Sequence, residues 1–177
     1  MGKYIPGWNP QDGFPEVKFG GPRGGKSVLF RLELMDHRPV LMLVEGEWDA
    51  MLVWEHCADL CDVATLGGAQ SKFDTLDLSL LTRYSVILVV HDNDKAGDRG
   101  REYIASLQAR IPRLRTILPP AHDLTDFWKA GGDLREWTAR HLSAALEDAL
   151  TGTKIPSPQM ERYKRILALA MEEPHNK

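Results

Sequence analysis

Cysteine is scarce in this chain: Cys57 and Cys61 are the only two among 177 residues. Two thiols alone cannot complete a four-ligand zinc site, so no zinc module for reading nucleic acid is present. Their spacing sets them one turn apart on a predicted helix, as small buried side chains in a reducing cytoplasm. Long apolar runs are missing too. No stretch approaches the roughly eighteen residues that a membrane helix needs, and the opening Met1-Gly-Lys-Tyr-Ile-Pro6 has no signal-peptide pattern. A cytoplasmic protein without membrane contact is expected. Positive charge is also not in excess. The net charge of −3 leaves no global attraction for nucleic acid, so any such contact is local or is supplied by other subunits. Internal repeats and low-complexity tracts are absent.

The apolar fraction of 43% and the charged fraction of 27% are ordinary for a globular protein, and the length suits one domain with extensions. Residues 1–27 hold Pro6, Gly7, Pro10, Gly13, Pro15, Gly20, Gly21, Pro22, Gly24 and Gly25, too many breakers for regular helices. This arm is read as loops with short strands. Two segments further on carry the most information. Leu41-Met-Leu-Val-Glu-Gly-Glu-Trp-Asp49 and Val86-Ile-Leu-Val-Val-His-Asp-Asn-Asp-Lys-Ala-Gly97 are apolar runs that each end in acids. Unbroken rather than alternating, they predict central strands of a parallel sheet covered on both faces. Function gathers at the carboxyl ends of such strands, which is where Glu45, Asp92 and Asp94 emerge. Two like charges about 4 Å apart cost roughly 4 kcal/mol at an effective dielectric of about 20. A hard divalent cation reverses that sign, and Mg²⁺ needs only a few carboxylates, completed by waters and phosphates. The acids therefore predict a magnesium site, with Mn²⁺ as the alternative ion.

The remaining pattern places these motifs. Strands are predicted over Ser27 to Met35, Val40 to Val44, Asp62 to Leu66, Tyr84 to Val90 and Leu114 to Leu118. Helices are predicted over Trp48 to Cys57, Asp74 to Leu81, Lys95 to Gln108, Asp123 to Ala130, Leu134 to Leu150 and Gln159 to Glu173, with a linker over Gly152 to Pro158. Strand and helix alternate, which implies right-handed crossovers and a mostly parallel α/β sheet flanked by helices.

Glu45-Gly-x-x-Asp49 followed by Asp92-x-Asp94-x-Ala96-Gly97 resembles the Toprim domain shared by bacterial-type primases, topoisomerases and several nucleases. Leu29-Phe-Arg-Leu32, Leu66-Gly-Gly68 and His122-Asp-Leu-Thr-Asp-Phe-Trp-Lys-Ala-Gly-Gly132 resemble the flanks in phage and plasmid primases. The likeness covers about residues 28–137, leaving residues 138–177 as a helical extension. Asp-Asn-Asp-Lys-Ala-Gly is closer to the primase form, and the chain has no room for the tyrosine-bearing domain of a topoisomerase. The resemblance implies a Toprim, Rossmann-like fold and Mg²⁺-dependent nucleotidyl transfer on single-stranded DNA with nucleoside triphosphates. A helicase or another replication protein is the implied partner. Glu45 would act as general acid or base or hold a metal-bound water, and Asp92 and Asp94 would bind the ion. Asp49 and Asp123 would complete a second, weaker site, although the family often carries an acid where this chain has Thr125. Lys95, Lys72 and Arg99 are candidate phosphate contacts.

Other readings stand beside this one. Glu47 and Asp49 also suit a helix N-terminus, and Asp123 a helix N-cap. His91 reads as structural, Arg101 as a solvated surface residue, and the scattered tryptophans mostly as core or interface anchors. Gly20-Gly-Pro-Arg-Gly-Gly-Lys-Ser27 satisfies the phosphate-cradling P-loop pattern. That reading requires a buried strand before the glycines, whereas Pro15 to Phe19 is short and polar, and Pro22 removes an amide from the cradle. Arg23 and Lys26 are instead read as a basic loop near the site. A metal-dependent nuclease and a non-catalytic DNA- or helicase-binding module are the alternative functions. Retention of Glu45 disfavours the module, because the two aspartates alone could hold a structural ion.

Overall fold

The two apolar runs become the two central strands of a parallel sheet. A computed structural model describes residues 38–65, 67–69, 71–73, 75–150 and 158–172. The irregular arm, the strand expected over Ser27 to Met35, Arg23, Lys26 and residues 152–157 of the expected linker lie outside the described residues, whereas Pro158, its expected end, already belongs to a helix. Strands β1 (Val40–Val44), β2 (Asp62–Thr65), β3 (Val86–Val90) and β4 (Leu114–Ile117) alternate with helices α1 (Glu47–Cys57), α2 (Thr75–Leu81) and α3 (Lys95–Gln108). Helices α4 (Leu124–Lys129), α5 (Leu134–Leu150) and α6 (Pro158–Glu172) follow. The sheet order is β2-β1-β3-β4, with every pairing parallel.

Every residue of β1 and β3 is buried, and alternate side chains enter different cores. Val40, Met42 and Val44 join Val86, Leu88 and Val90 in a core completed by α1, α5 and α6. Leu41, Leu43, Ile87 and Val89 pack on the other face with Phe73, Tyr84 and Ile104. This two-sided burial is why both strands read as continuous apolar runs. The edge strand β4, by contrast, buries only Leu114 fully.

Strand order also creates the place for a site. From β1 the chain moves to β2 on one side, then crosses back over β1 to β3 on the other. The direction of winding therefore reverses between β1 and β3, and at such a switch point a crevice opens beyond the strands' carboxyl ends. Val44 is in register with Val90. Consequently Glu45 and Asp92 leave the sheet side by side although they are 47 residues apart.

Helix α1 buries Asp49, Ala50, Val53 and Cys57 along one face. Cys61 lies beyond that helix, in the turn before β2, rather than on it. Both thiols are buried, and burial raises both pKa values, that of Cys57 to about 12. Trp137 packs against the core, whereas three other tryptophans reach solvent. Trp48 and Trp54 are 71% and 46% exposed, because Ala50, Val53 and Cys57 already fill the inward face of α1, and Trp128 on α4 is 44% exposed. Helix α5 runs through residues 137 and 138 and packs Leu142 and Leu146 into the same core as β1, with Tyr163 and Leu167 of α6 over them. A two-pronged bond from Arg135 to Asp59, both distances 2.7 Å, ties α5 to the α1–β2 turn. No described helix is long and apolar enough to cross a membrane.

Candidate metal and catalytic site

The site is assembled from three strand ends. Glu45 is the first residue past β1, and its Oε2 accepts the backbone N–H of Asp92 at 3.0 Å. The Thr65 hydroxyl donates to the Glu45 carbonyl at 2.7 Å and accepts the N–H of Gly67 at 3.0 Å, which joins the ends of β1 and β2. Burial raises the Glu45 pKa, and the charges of Asp94 and Asp49 add to that; the N–H donors of Asp92 and Ala69 offset part of it.

Asp92 is the most perturbed acid here. Burial first, then the charges of Glu45, Asp49 and Asp123, lift its pKa to about 7, against a partial offset from His122. Such crowding is relieved either by a retained proton or by a bound cation. Its backbone is held as well: the Asp92 carbonyl accepts Arg101 Nη1 at 2.9 Å, while Arg101 Nη2 bonds Asp98. Arg101 is therefore a half-buried brace on the site and not the solvated residue that its sequence context suggested.

Asp94 also caps a helix. As the N-cap of α3, its Oδ1 accepts the N–H groups of Ala96 and Gly97, each at 2.8 Å. Those bonds, that from Gly97 foremost, hold the Asp94 carboxyl below its ordinary pKa. Asp123 caps α4, accepting the N–H of Asp126 at 2.6 Å. Asp49 is buried, and its Oδ1 accepts both the N–H of Thr125 at 3.0 Å and the Thr125 hydroxyl at 2.5 Å. Burial nevertheless raises its pKa, helped by the charge of Asp123. Thr125 thus serves as a donor to Asp49. Replacing it with valine keeps the shape but removes one bond from a buried carboxylate. The expected loss is about 1–2 kcal/mol of stability, read from urea unfolding; an unchanged midpoint would show that the hydroxyl contributes nothing.

His122 completes the cluster, and sequence reasoning gave it no role there. Its carbonyl accepts the N–H of Asn93 at 2.7 Å, its Nδ1 lies 3.5 Å from Asp123 Oδ2, and its Nε2 lies 4.0 Å from Asp94 Oδ2. Burial opposes its charged form, but the bond to Asp123 and the charges of Asp92, Asp123 and Asp94 outweigh this and raise its pKa. The available signal was its position next to Asp123 after a strand-ending Pro119-Pro120. One donor atom from each of Asp92, His122 and Asp123 lies within 4.8 Å of the others. Two carboxylates and an imidazole suit a divalent ion, and the raised pKa of Asp92 reflects the crowding that such an ion relieves.

The basic candidates are less focused. Lys95 and Arg99 are exposed on the first turns of α3, beside the acids. Lys72 is exposed, with its Nζ 5.8 Å from the centre of the Tyr103 ring. Glu47 is exposed. His91 is buried and kept neutral, its pKa lowered to about 4 by burial and by Arg101. Its ring fills the space where Gly100 has no side chain.

Residues 42–128 match the family model described as Toprim-like. Among solved structures, the chain is similar to the primase fragment of the bacteriophage T7 primase-helicase protein. That match has 25% identity and a TM-score of 0.53, over 60% of this chain and 46% of that one. A second similar structure is a complex of the bacteriophage T7 lagging-strand DNA polymerase with primase domains bound to an RNA/DNA hybrid and dTTP. There the identity is 24% and the TM-score 0.52, over 59% of this chain and 55% of that one. The chain thus spans about half the length of the solved chains it matches. No curated protein matches it.

Proposed function

This chain belongs to the Toprim family, in its primase-like form, and from that premise we propose that it carries out metal-dependent nucleotidyl transfer, synthesising primers on single-stranded DNA from nucleoside triphosphates. The observation that carries the reading is the pairing across the β1–β3 switch point. A half-buried Glu45 with a raised pKa is held by the Asp92 N–H, beside the Asp92, His122 and Asp123 donors.

In this reading Asp92 and Asp123 hold Mg²⁺ or Mn²⁺, with Asp94 and Asp49 in support. The bound ion supplies neutralisation of the phosphoryl oxygens and lowers the pKa of the attacking hydroxyl. Glu45 is oriented by the Asp92 N–H and, with its pKa raised toward the working pH, accepts the proton of the 3′-hydroxyl. Arg101 keeps the Asp92 backbone in place during the reaction. Lys95 and Arg99, exposed at the start of α3, meet the triphosphate or the template backbone. Template handling falls to other domains or to a helicase in the cytoplasm, since the net charge is negative.

The test uses the full chain with circular and linear single-stranded DNA, Mg²⁺ or Mn²⁺ and labelled nucleotides. Short labelled product is expected, falling by about 10²-fold or more in Glu45→Gln, as for loss of a general base. Loss of input DNA without nucleotides would replace this reading with a nuclease. Product formation that survives Glu45→Gln unchanged would remove Glu45 from the chemistry.

A further inference from the structure

The chemistry proposed above needs only oxygen donors, yet the group of side chains able to share one ion includes a nitrogen. His122 is pinned on both sides: its carbonyl receives the Asn93 N–H at 2.7 Å, and the next residue, Asp123, caps α4. Its ring is half exposed and faces carboxylates, with Nδ1 3.5 Å from Asp123 and Nε2 4.0 Å from Asp94. Donor atoms of Asp92, His122 and Asp123 already stand within 4.8 Å of one another. Two metal–ligand bonds of about 2.1 Å span at most about 4.2 Å, so small side-chain rotations close the set.

We propose that His122 is a direct nitrogen ligand, and that Asp92, His122 and Asp123 form a mixed-donor site preferring a first-row transition dication such as Mn²⁺ to Mg²⁺. The inference rests on the metal-dependent reading above and adds the identity of the ion and of one ligand. Two carboxylates and a neutral imidazole balance a dication. Mg²⁺ favours oxygen donors and retained waters, and gains little from imidazole, whereas transition dications bind imidazole more tightly. An acid-only cluster would not discriminate between the ions in this way.

The experiment is Mn²⁺ binding to the full chain, followed by electron paramagnetic resonance, with Mg²⁺ as competitor and without nucleic acid or nucleotides. Pulsed measurements on the bound ion are expected to show coupling to ¹⁴N. His122→Gln should abolish that coupling and weaken Mn²⁺ binding about tenfold or more, while Mg²⁺ binding stays near its wild-type level. The control variant is necessary because the chain has six histidines. An unchanged urea midpoint for His122→Gln confirms that the fold is intact, and His122→Asn repeats the test if that variant does not fold. Binding of Mn²⁺ without nitrogen coupling, or with equal loss of both ions in His122→Gln, would overturn the assignment and leave the metal-dependent reading standing. Failure of the wild-type chain to bind either ion would remove both.

Discussion

Asp92→Asn is expected to lower metal-dependent nucleotidyl transfer by at least about 10³-fold, roughly 4 kcal/mol of barrier, and yet to stabilise the ion-free protein above neutral pH. Both effects have one cause. Asp92 is surrounded by Glu45, Asp49 and Asp123 in a half-buried position, and its pKa stands at about 7 in the fold against an ordinary 3.8. Between those two values the folded state keeps a proton that the unfolded state has released. Raising the pH through that window therefore favours unfolding, and the full penalty is present above about pH 7. Its size is on the order of 1–2 kcal/mol once solvent screening at a half-buried carboxyl is allowed for. Glu45 and Asp49, whose pKa values are also raised, act in the same direction; Asp94 and Asp59, whose values are lowered, act in the opposite one. Urea midpoints measured with a chelator at pH 5 and pH 8 should fall more steeply for wild type than for Asp92→Asn. A saturating divalent ion should erase the wild-type penalty. Identical pH dependence of the two proteins would show that Asp92 is not the strained acid.

Gly97→Ala is expected to destabilise the protein by about 2–3 kcal/mol and to weaken ion binding, although helix propensity alone predicts a gain of roughly 1 kcal/mol from alanine. Gly97 lies in the first turn of α3, where that helix rests against the segment leading out of β3. A Cβ there would stand 1.9 Å from the Asp92 carbonyl oxygen and 3.0 Å from its carbon. The obstacle is backbone and cannot rotate away, so α3 must retreat. Retreat pulls the Ala96 and Gly97 N–H groups from Asp94 and strains the Arg101 bond to Asp92. Gly46→Ala is the steric control, because nothing lies within 4 Å of the added carbon. Destabilisation of both variants to the same degree would mean that the close approach of α3 to Asp92 is not the cause.

Much of this architecture was legible in local pattern. The unbroken runs at Val40–Val44 and Val86–Val90 announced strands buried on both faces, and acids straight after them announced a charged sheet edge. The 3.6-residue period of α3 and the cap residue Asp123 were readable for the same reason: they depend on neighbours within a turn or two of chain. What stayed hidden depends on contacts between distant segments. His122 and Arg101 look like ordinary surface residues until the strand order sets the β4–α4 loop and α3 against the end of β3. Thr125 looks like a departure from the acid expected there until it is seen donating to Asp49, 76 residues away.

The sequence by itself determined the strands and helices of the described residues, the two-sided burial of the central strands, and the kind of chemistry to expect from acids at strand ends, because hydrophobic period and side-chain charge are local properties. Only the tertiary structure decided the β2-β1-β3-β4 order, the meeting of Glu45 with the Asp92 N–H, and the entry of His122 among the acids. Those outcomes depend on which backbone amides and carboxylates meet across the switch point, and long-range packing sets that meeting.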